Sequence, residues 1–334
     1  MMDTPGHLRL RAISTAIKNH LPPMHLVSSL QAQTPASALA PTWSRIIGTL
    51  VVATAIVVSS VAAFAQPAHL TKSLQLVDEI TGSQDAGVFT DANNVALNRY
   101  GGSWNSATDA SFIRFLNVAG ALLPGNNTKC APLVTHLLKY CYNWSWSSHS
   151  FYDPLLKITQ TSASPAPYQM IALLKAGKGF AAQVAQLDQA LPGDVLLWAQ
   201  VGTDDKNHAM IIANVNLASA KAYPSDHANG NPAYTGTTYY EVEVLDSSSS
   251  LHTNDSRLVP VNGVDTHLPG VGTGTVGVLV NASFQIVGVT WSLPTSNYTT
   301  QRTGWLNGLH SRLKLAPAYD IVIGRMPALP VVAP

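Results

Sequence analysis

From Asp109 to Leu187 the apolar residues recur mainly at helical intervals, and from Leu191 onward they alternate or run together as in strands. That change of period limits the chain to helices followed by an antiparallel sheet, an α+β layout. Phe112, Phe115, Leu116 and Ala119 share one face of a helix predicted over Asp109 to Leu123, and Pro124-Gly125-Asn126-Asn127 reads as a turn. A second helix is expected next, with Thr128 as its cap and Pro132 in its first turn, where proline is tolerated. Its apolar stripe is Leu133, Val134, Leu137, Leu138 and Cys141. Trp144, Trp146, Phe151 and Tyr152 form an aromatic loop, and a third helical stretch covers Pro167 to Leu187. Strands are expected at Val195 to Trp198, Ala209 to Val215, Tyr239 to Asp246, Gly274 to Val280, Ile286 to Trp291 and Ile321 to Arg325. Residues 66 to about 85, of mixed polarity, read as a leading arm.

The N-terminal 65 residues stand apart. Arg45 precedes an uncharged apolar run from Ile46 to Val61 that ends in Ala63-Phe64-Ala65. A basic flank, an apolar stretch and a small-x-small site make a signal peptide over about residues 45–65, with an extended N-region before it. Export to the periplasm or the medium of a bacterium follows, with cleavage before Gln66; uncleaved, the run is an N-terminal membrane anchor. Residues 66–334 then form one domain, with a core over about 95–250 and further strands to 326.

Of 19 Lys and Arg and 18 Asp and Glu, only Arg9, Arg11, Lys18, Arg45 and Asp3 precede residue 66. The remainder carries 15 basic and 17 acidic residues, a net charge of −2. A nearly neutral body gives no electrostatic footprint for nucleic acid or, once the signal is cleaved, for a membrane. No spacing resembles a zinc ligand set, His136 and Cys141 being too few, and Gly270-Val271-Gly272-Thr273-Gly274 lacks the following helix of a dinucleotide loop. No cofactor is expected.

The chain has two cysteines, Cys130 and Cys141. In an exported protein a pair suggests a disulfide. On one helix, however, eleven residues set them roughly 16 Å apart, whereas a disulfide needs Cα atoms within about 7 Å. The apolar stripe favours the helix, which leaves Cys141 on the core face. Cys130 falls at the helix N-terminus, where free backbone N–H groups and the helix dipole favour a thiolate, and Lys129 adds a positive charge. A thiolate there is a nucleophile, and the same N–H groups can hold an oxyanion. Asn126 or Asn127 is a candidate extra donor. His208 opens a strand after the turn Leu191-Pro192-Gly193-Asp194, and its ring can act as base and then as acid. Read alone it is a surface histidine in a polar turn, one of 11 in the chain.

Taken together, Thr128-Lys129-Cys130-Ala131-Pro132-Leu133-Val134, Leu191-Pro192-Gly193-Asp194-Val195-Leu196-Leu197-Trp198 and His208-Ala209-Met210-Ile211-Ile212 resemble the NlpC-type cell-wall endopeptidases of the papain-like clan. The family's Asp-Cys-Ser-Gly is replaced here by Lys129-Cys130-Ala131-Pro132. The resemblance implies a papain-like fold with N-terminal helices packed on an antiparallel sheet. It implies hydrolysis of an amide bond in a peptide or in peptidoglycan by Cys130 and His208. The family's third polar residue maps to the end of Tyr239–Leu245, where Asp246 stands; a strand-ending Asp that opens the Ser247–Ser250 turn is the alternative. Trp144, Trp146 and Trp198 are candidates for a substrate groove or for the core, and Arg302 and Arg325 for a substrate carboxylate. A non-catalytic module that binds cell wall or glycan through the aromatic loop is the competing function.

Overall fold

The computed structural model describes residues 66–117, 122–204, 206–223, 237–293 and 314–332. The segment expected to be a signal peptide, and Arg302, lie outside these residues.

Helix α1 (Ala68–Asp85) replaces the expected arm: Leu70, Ser73, Val77, Ile80 and Gln84, at intervals of three and four, are buried. That stripe mixes polar with apolar residues, which hides it from a hydropathy pattern. Strands β1 (Asn98–Tyr100), β2 (Phe112–Arg114) and β3 (Gly125–Thr128) make a small sheet, with β3 between a parallel β1 and an antiparallel β2. No helix forms across Phe112–Arg114 where Asp109–Leu123 was expected to be helical, and the predicted turn at Asn126-Asn127 is strand β3. Long-range side-chain bonds decide this. Asn127 Nδ2 donates to Asp109 Oδ1 and Ala110 O, and Arg114 Nε donates to Leu123 O, holding the segment extended.

Helix α2 (Cys130–Tyr142) follows as expected, with Lys129 rather than Thr128 at its N-cap position and no side-chain cap; the Thr128 hydroxyl donates to Asn126 Oδ1 instead. Its stripe Leu133, Val134, Leu137, Leu138 and Cys141 is buried, and each of the four aliphatic side chains contributes about 1.5–3 kcal/mol. Asn143, in the left-handed region at φ 51°, ends it. The aromatic loop forms a short 3₁₀ turn (Trp146–Ser148) and the hairpin β4 (Phe151–Asp153) to β5 (Ile158–Gln160). Helix α3 runs only from Pro167 to Lys175. Gly177 and Gly179, at φ 65° and 72°, break the helical period that was expected to reach Leu187.

The main sheet comprises β6 (Ala182–Val184), β7 (Val195–Gln200), β8 (His208–Ala222), β9 (Thr238–Ser248), β12 (Gly270–Val280), β13 (Ile286–Thr290), β14 (Lys314–Leu315) and β15 (Tyr319–Arg325). Between β9 and β12 lies the hairpin β10 (Leu258–Val261) to β11 (Val264–His267). The eight strands are antiparallel throughout, in the order β14-β13-β12-β9-β8-β7-β15-β6. The α+β layout therefore stands. Both faces of this sheet are covered. Val195, Leu197, Ala209, Ile211 and Leu245 pack with α1, α2 and α3 in one core. Leu196, Trp198, Met210, Ile212, Val244 and Val276 face a second core inside the curl of the sheet. Two buried faces explain why β7 reads as the unbroken apolar run Val-Leu-Leu-Trp.

The small sheet is pinned to the large one next to Cys130. Asn98 Oδ1 accepts from Val271 N–H and Asn98 Nδ2 donates to Val271 O, both at 2.8 Å. The Ser247 hydroxyl donates to Thr128 O at 2.6 Å.

Candidate active site

Cys130 is the first residue of α2, held between β3 and the sheet and nearly fully buried. Both cysteines are free, so no bridge forms. The Cys130 sulfur lies beside the imidazole of His208 and the backbone N–H groups of Ala131 and Ala209, all of which favour its ionised form. The far nitrogen of that imidazole, Nε2, lies 2.6 Å from Asp246 Oδ2, which leaves Nδ1 as the nitrogen that meets the sulfur. The ring is held flat between two indoles, stacked on Trp198 at 5.2 Å and edge-on to Trp291 at 4.9 Å.

The electrostatics favour a charged pair. Burial resists ionisation of the Cys130 thiol, but the neighbouring imidazolium of His208 and the two backbone donors overcome it and the thiol is lowered from its ordinary value. Burial likewise opposes charge on His208, yet Cys130 and Asp246 raise it to about 9. Asp246 is completely buried; burial disfavours its charge, but Arg257, His252 and His208 hold the carboxyl well below the usual carboxylate range. By contrast burial alone pushes the Cys141 thiol up to about 11. Three residues from three elements, 78 and 38 positions apart along the chain, thus bring a thiol, an imidazole and a carboxylate together.

A cleft of about 410 Å³ opens against His208, lined among others by Tyr100, Trp198, Asn207, Ser248 and Trp291. Burial, with Cys130 and Asp246 nearby, raises the Tyr100 hydroxyl above its ordinary value.

Of the aromatic candidates only Trp198 lines the cleft. Trp146 is buried in the helix-side core beside Phe180, and Trp144 packs on that core and stacks on His149. Trp146 and Phe151 of the aromatic loop are thus folded inward, while Tyr152 is exposed. Asn126 and Asn127 are buried, and each amide nitrogen already donates twice: Asn126 to Asn98 Oδ1 and Arg99 O, Asn127 to Asp109 and Ala110. Neither has a donor left for an oxyanion; both order the strand that delivers Cys130. Arg325 is bound to Asp194 at 2.9 Å instead of facing a substrate, and Asp194 also caps the turn by accepting from Leu191 N–H.

Sequence reasoning missed the residues around Asp246. Asp246 Oδ2 also lies 3.0 Å from His252 Nε2, and its Oδ1 lies 3.1 Å from Arg257 Nη1. Arg257 in turn is bidentate to Asp255. One signal was present. In a chain with 11% charged residues, His252, Asp255 and Arg257 crowd six positions, and three alternating glycines interrupt the strand that follows. Glycine inside a strand marks close approach of another group.

Among the described residues, no group of three or more His, Cys, Asp or Glu is placed to hold a metal ion, and no helix is long and apolar enough to cross a membrane. No family model matches this chain, and neither a curated protein nor a solved structure is significantly similar to it.

Proposed function

We propose that this chain is an exported cysteine hydrolase of papain-like type that cleaves an amide bond, with Cys130 as nucleophile, His208 as acid and base, and Asp246 as the group that orients and charges His208. The single observation that carries the proposal is the contact between the Cys130 sulfur and a His208 ring whose other nitrogen is on a buried carboxylate.

The thiolate attacks the carbonyl carbon, and the carbonyl oxygen takes the charge. The first-turn amides of α2, which no side chain caps, are the available donors for that oxyanion. His208 then gives its proton to the leaving amine as the C–N bond breaks, leaving an acyl-thioester. The neutral ring takes a proton from water, hydroxide attacks the thioester, and the acid departs as the thiolate–imidazolium pair is restored. Asp246 keeps the ring oriented and stabilises its cationic form throughout. The cleft at His208 is the place for the substrate. The NlpC resemblance suggests peptide stems of peptidoglycan as that substrate, and the apolar run before Ala65 suggests the route out of the cell.

The test is hydrolysis of purified peptidoglycan, followed by the release of free amino groups, in the wild type, Cys130→Ala and His208→Ala. Release by the wild type and loss by at least ~10²-fold in each variant is expected for a nucleophile and its base. Equal release by all three proteins contradicts the proposal.

A further inference from the structure

Asp246 has a cluster of buried partners that an isolated Cys-His-Asp site does not require. The torsion that aims a carboxylate is soft, so the direction of Asp246 must be set by what grips its oxygens. Oδ2 meets two imidazoles, His208 Nε2 at 2.6 Å and His252 Nε2 at 3.0 Å, while Oδ1 meets Arg257 Nη1 at 3.1 Å. Each partner is itself fixed. His252 Nδ1 lies 2.8 Å from the carbonyl oxygen of Trp291. Both ring nitrogens thus face oxygen atoms. The Trp291 indole covers His252 at 4.4 Å and His208 at 4.9 Å, so one ring packs against both histidines. Arg257 is locked by its fork on Asp255 and by Nη1 donating to Gly270 O. The backbone leaves space for the pair: a Cβ on Gly272 would stand 2.6 Å from Arg257 Cγ, and one on Gly274 2.6 Å from His252 Cβ.

We infer that His252 and Arg257 are positioning residues, which clamp both oxygens of Asp246 so that one stays on His208 Nε2. The inference rests on the cysteine-hydrolase reading. Arg257 has a complete partner in Asp255, and burying ions is costly, so a purely structural pair needs no third member. Its reach to Asp246 couples the pair to the reacting groups. The titratable and charged groups facing this cluster are Cys130 from α2, Tyr100 from β1, His208 from β8, His252, Asp255 and Arg257 from the segment between β9 and β10, and His267 from β11.

The test follows Cys130 alkylation by iodoacetamide against pH in a Cys141→Ala background, for His252→Gln, Arg257→Lys and Gly274→Ala, with folding checked by circular dichroism. Each variant weakens the grip on Asp246 and should raise the midpoint of the acid limb by about one pH unit. In Asp246→Asn the same substitutions should add nothing, as for residues that act through one group. Folded variants with the wild-type midpoint overturn the inference, and so does a shift that persists in full in Asp246→Asn. Should Arg257→Lys not fold, His252→Gln and Gly274→Ala carry the same comparison. A wild type whose Cys130 reacts no faster than an ordinary thiol and is not slowed by His208→Ala sinks the hydrolase reading and this inference with it. A fast, His208-dependent wild type with unmoved variants overturns the positioning role alone.

Discussion

The imidazole of His208 and the carboxylate of Asp246 meet at 2.6 Å across neighbouring antiparallel strands. His208 stands three residues before, and Asp246 one residue after, the paired Ile211 and Leu245. The contact is therefore diagonal, at the end of the sheet where β8 begins and α2 delivers Cys130. Such a position lets a ring be gripped by the sheet on one side and face a helix terminus on the other.

The two thiols should differ sharply in reactivity. Cys130 is lowered by His208 and backbone donors, whereas burial lifts Cys141 to about 11. At neutral pH iodoacetamide should label Cys130 alone, as read by peptide mass mapping. Cys141→Ala should leave the rate unchanged, and His208→Ala should cut it by about tenfold or more.

Hydrolysis and alkylation should part company at alkaline pH. Hydrolysis needs the thiolate together with a protonated His208, so its rate rises as Cys130 ionises and falls as His208 loses its proton near about 9. Alkylation needs only the thiolate and should not fall there. Parallel pH profiles over the same range check this, and a shared alkaline fall contradicts it.

Asp246→Asn should destabilise the fold by about 3–5 kcal/mol near pH 7, because it leaves His208 and Arg257 short of a buried counter-charge. The folded carboxyl is depressed, so its contribution is present above the unfolded value of 3.8 and is lost as pH falls through the folded one. Denaturant melts at neutral and acid pH should show the gap between wild type and variant closing on the acid side.

Gly272→Ala and Gly274→Ala should each cost about 1–3 kcal/mol by overpacking, since the added Cβ meets Arg257 Cγ or His252 Cβ at 2.6 Å. Gly202→Ala makes no such contact, although its positive φ of 81° adds backbone strain. Thermal melts measure these costs and Cys130 alkylation separates the two: the strand variants should slow it, and Gly202→Ala should not.

Helix α2 and strands β7, β8, β9, β12, β13 and β15 were legible because their burial follows hydropathy, whereas the hairpin β10–β11 and the short β14 were not expected. The stripe Leu133 to Cys141 and the run Val195 to Trp198 carry their own period. The meeting of Cys130 with His208 was legible because each opens its element, and Asp246, taken for a strand end, lies two residues inside the end of β9. What stayed hidden depends on polar side chains paired over long distances. Asn126 and Asn127 look like a turn until Asn98, Asp109 and Ala110 are brought beside them. Gly270, Gly272 and Gly274 looked like a failed nucleotide loop. In the fold each leaves room for one polar side chain, that of Asn98, Arg257 and His252 in turn. Helix α1 was missed because its buried face includes His69, Ser73 and Gln84.

In the proposed mechanism Cys130 carries a negative charge at neutral pH because His208 carries a positive one. The ultraviolet absorbance of the thiolate, taken as the difference between the wild type and Cys130→Ala across a pH titration, measures it directly. A thiolate signal already full at pH 7 and lost in His208→Ala is the predicted result; a signal that first emerges at the ordinary thiol value of 9.0 in both proteins contradicts it.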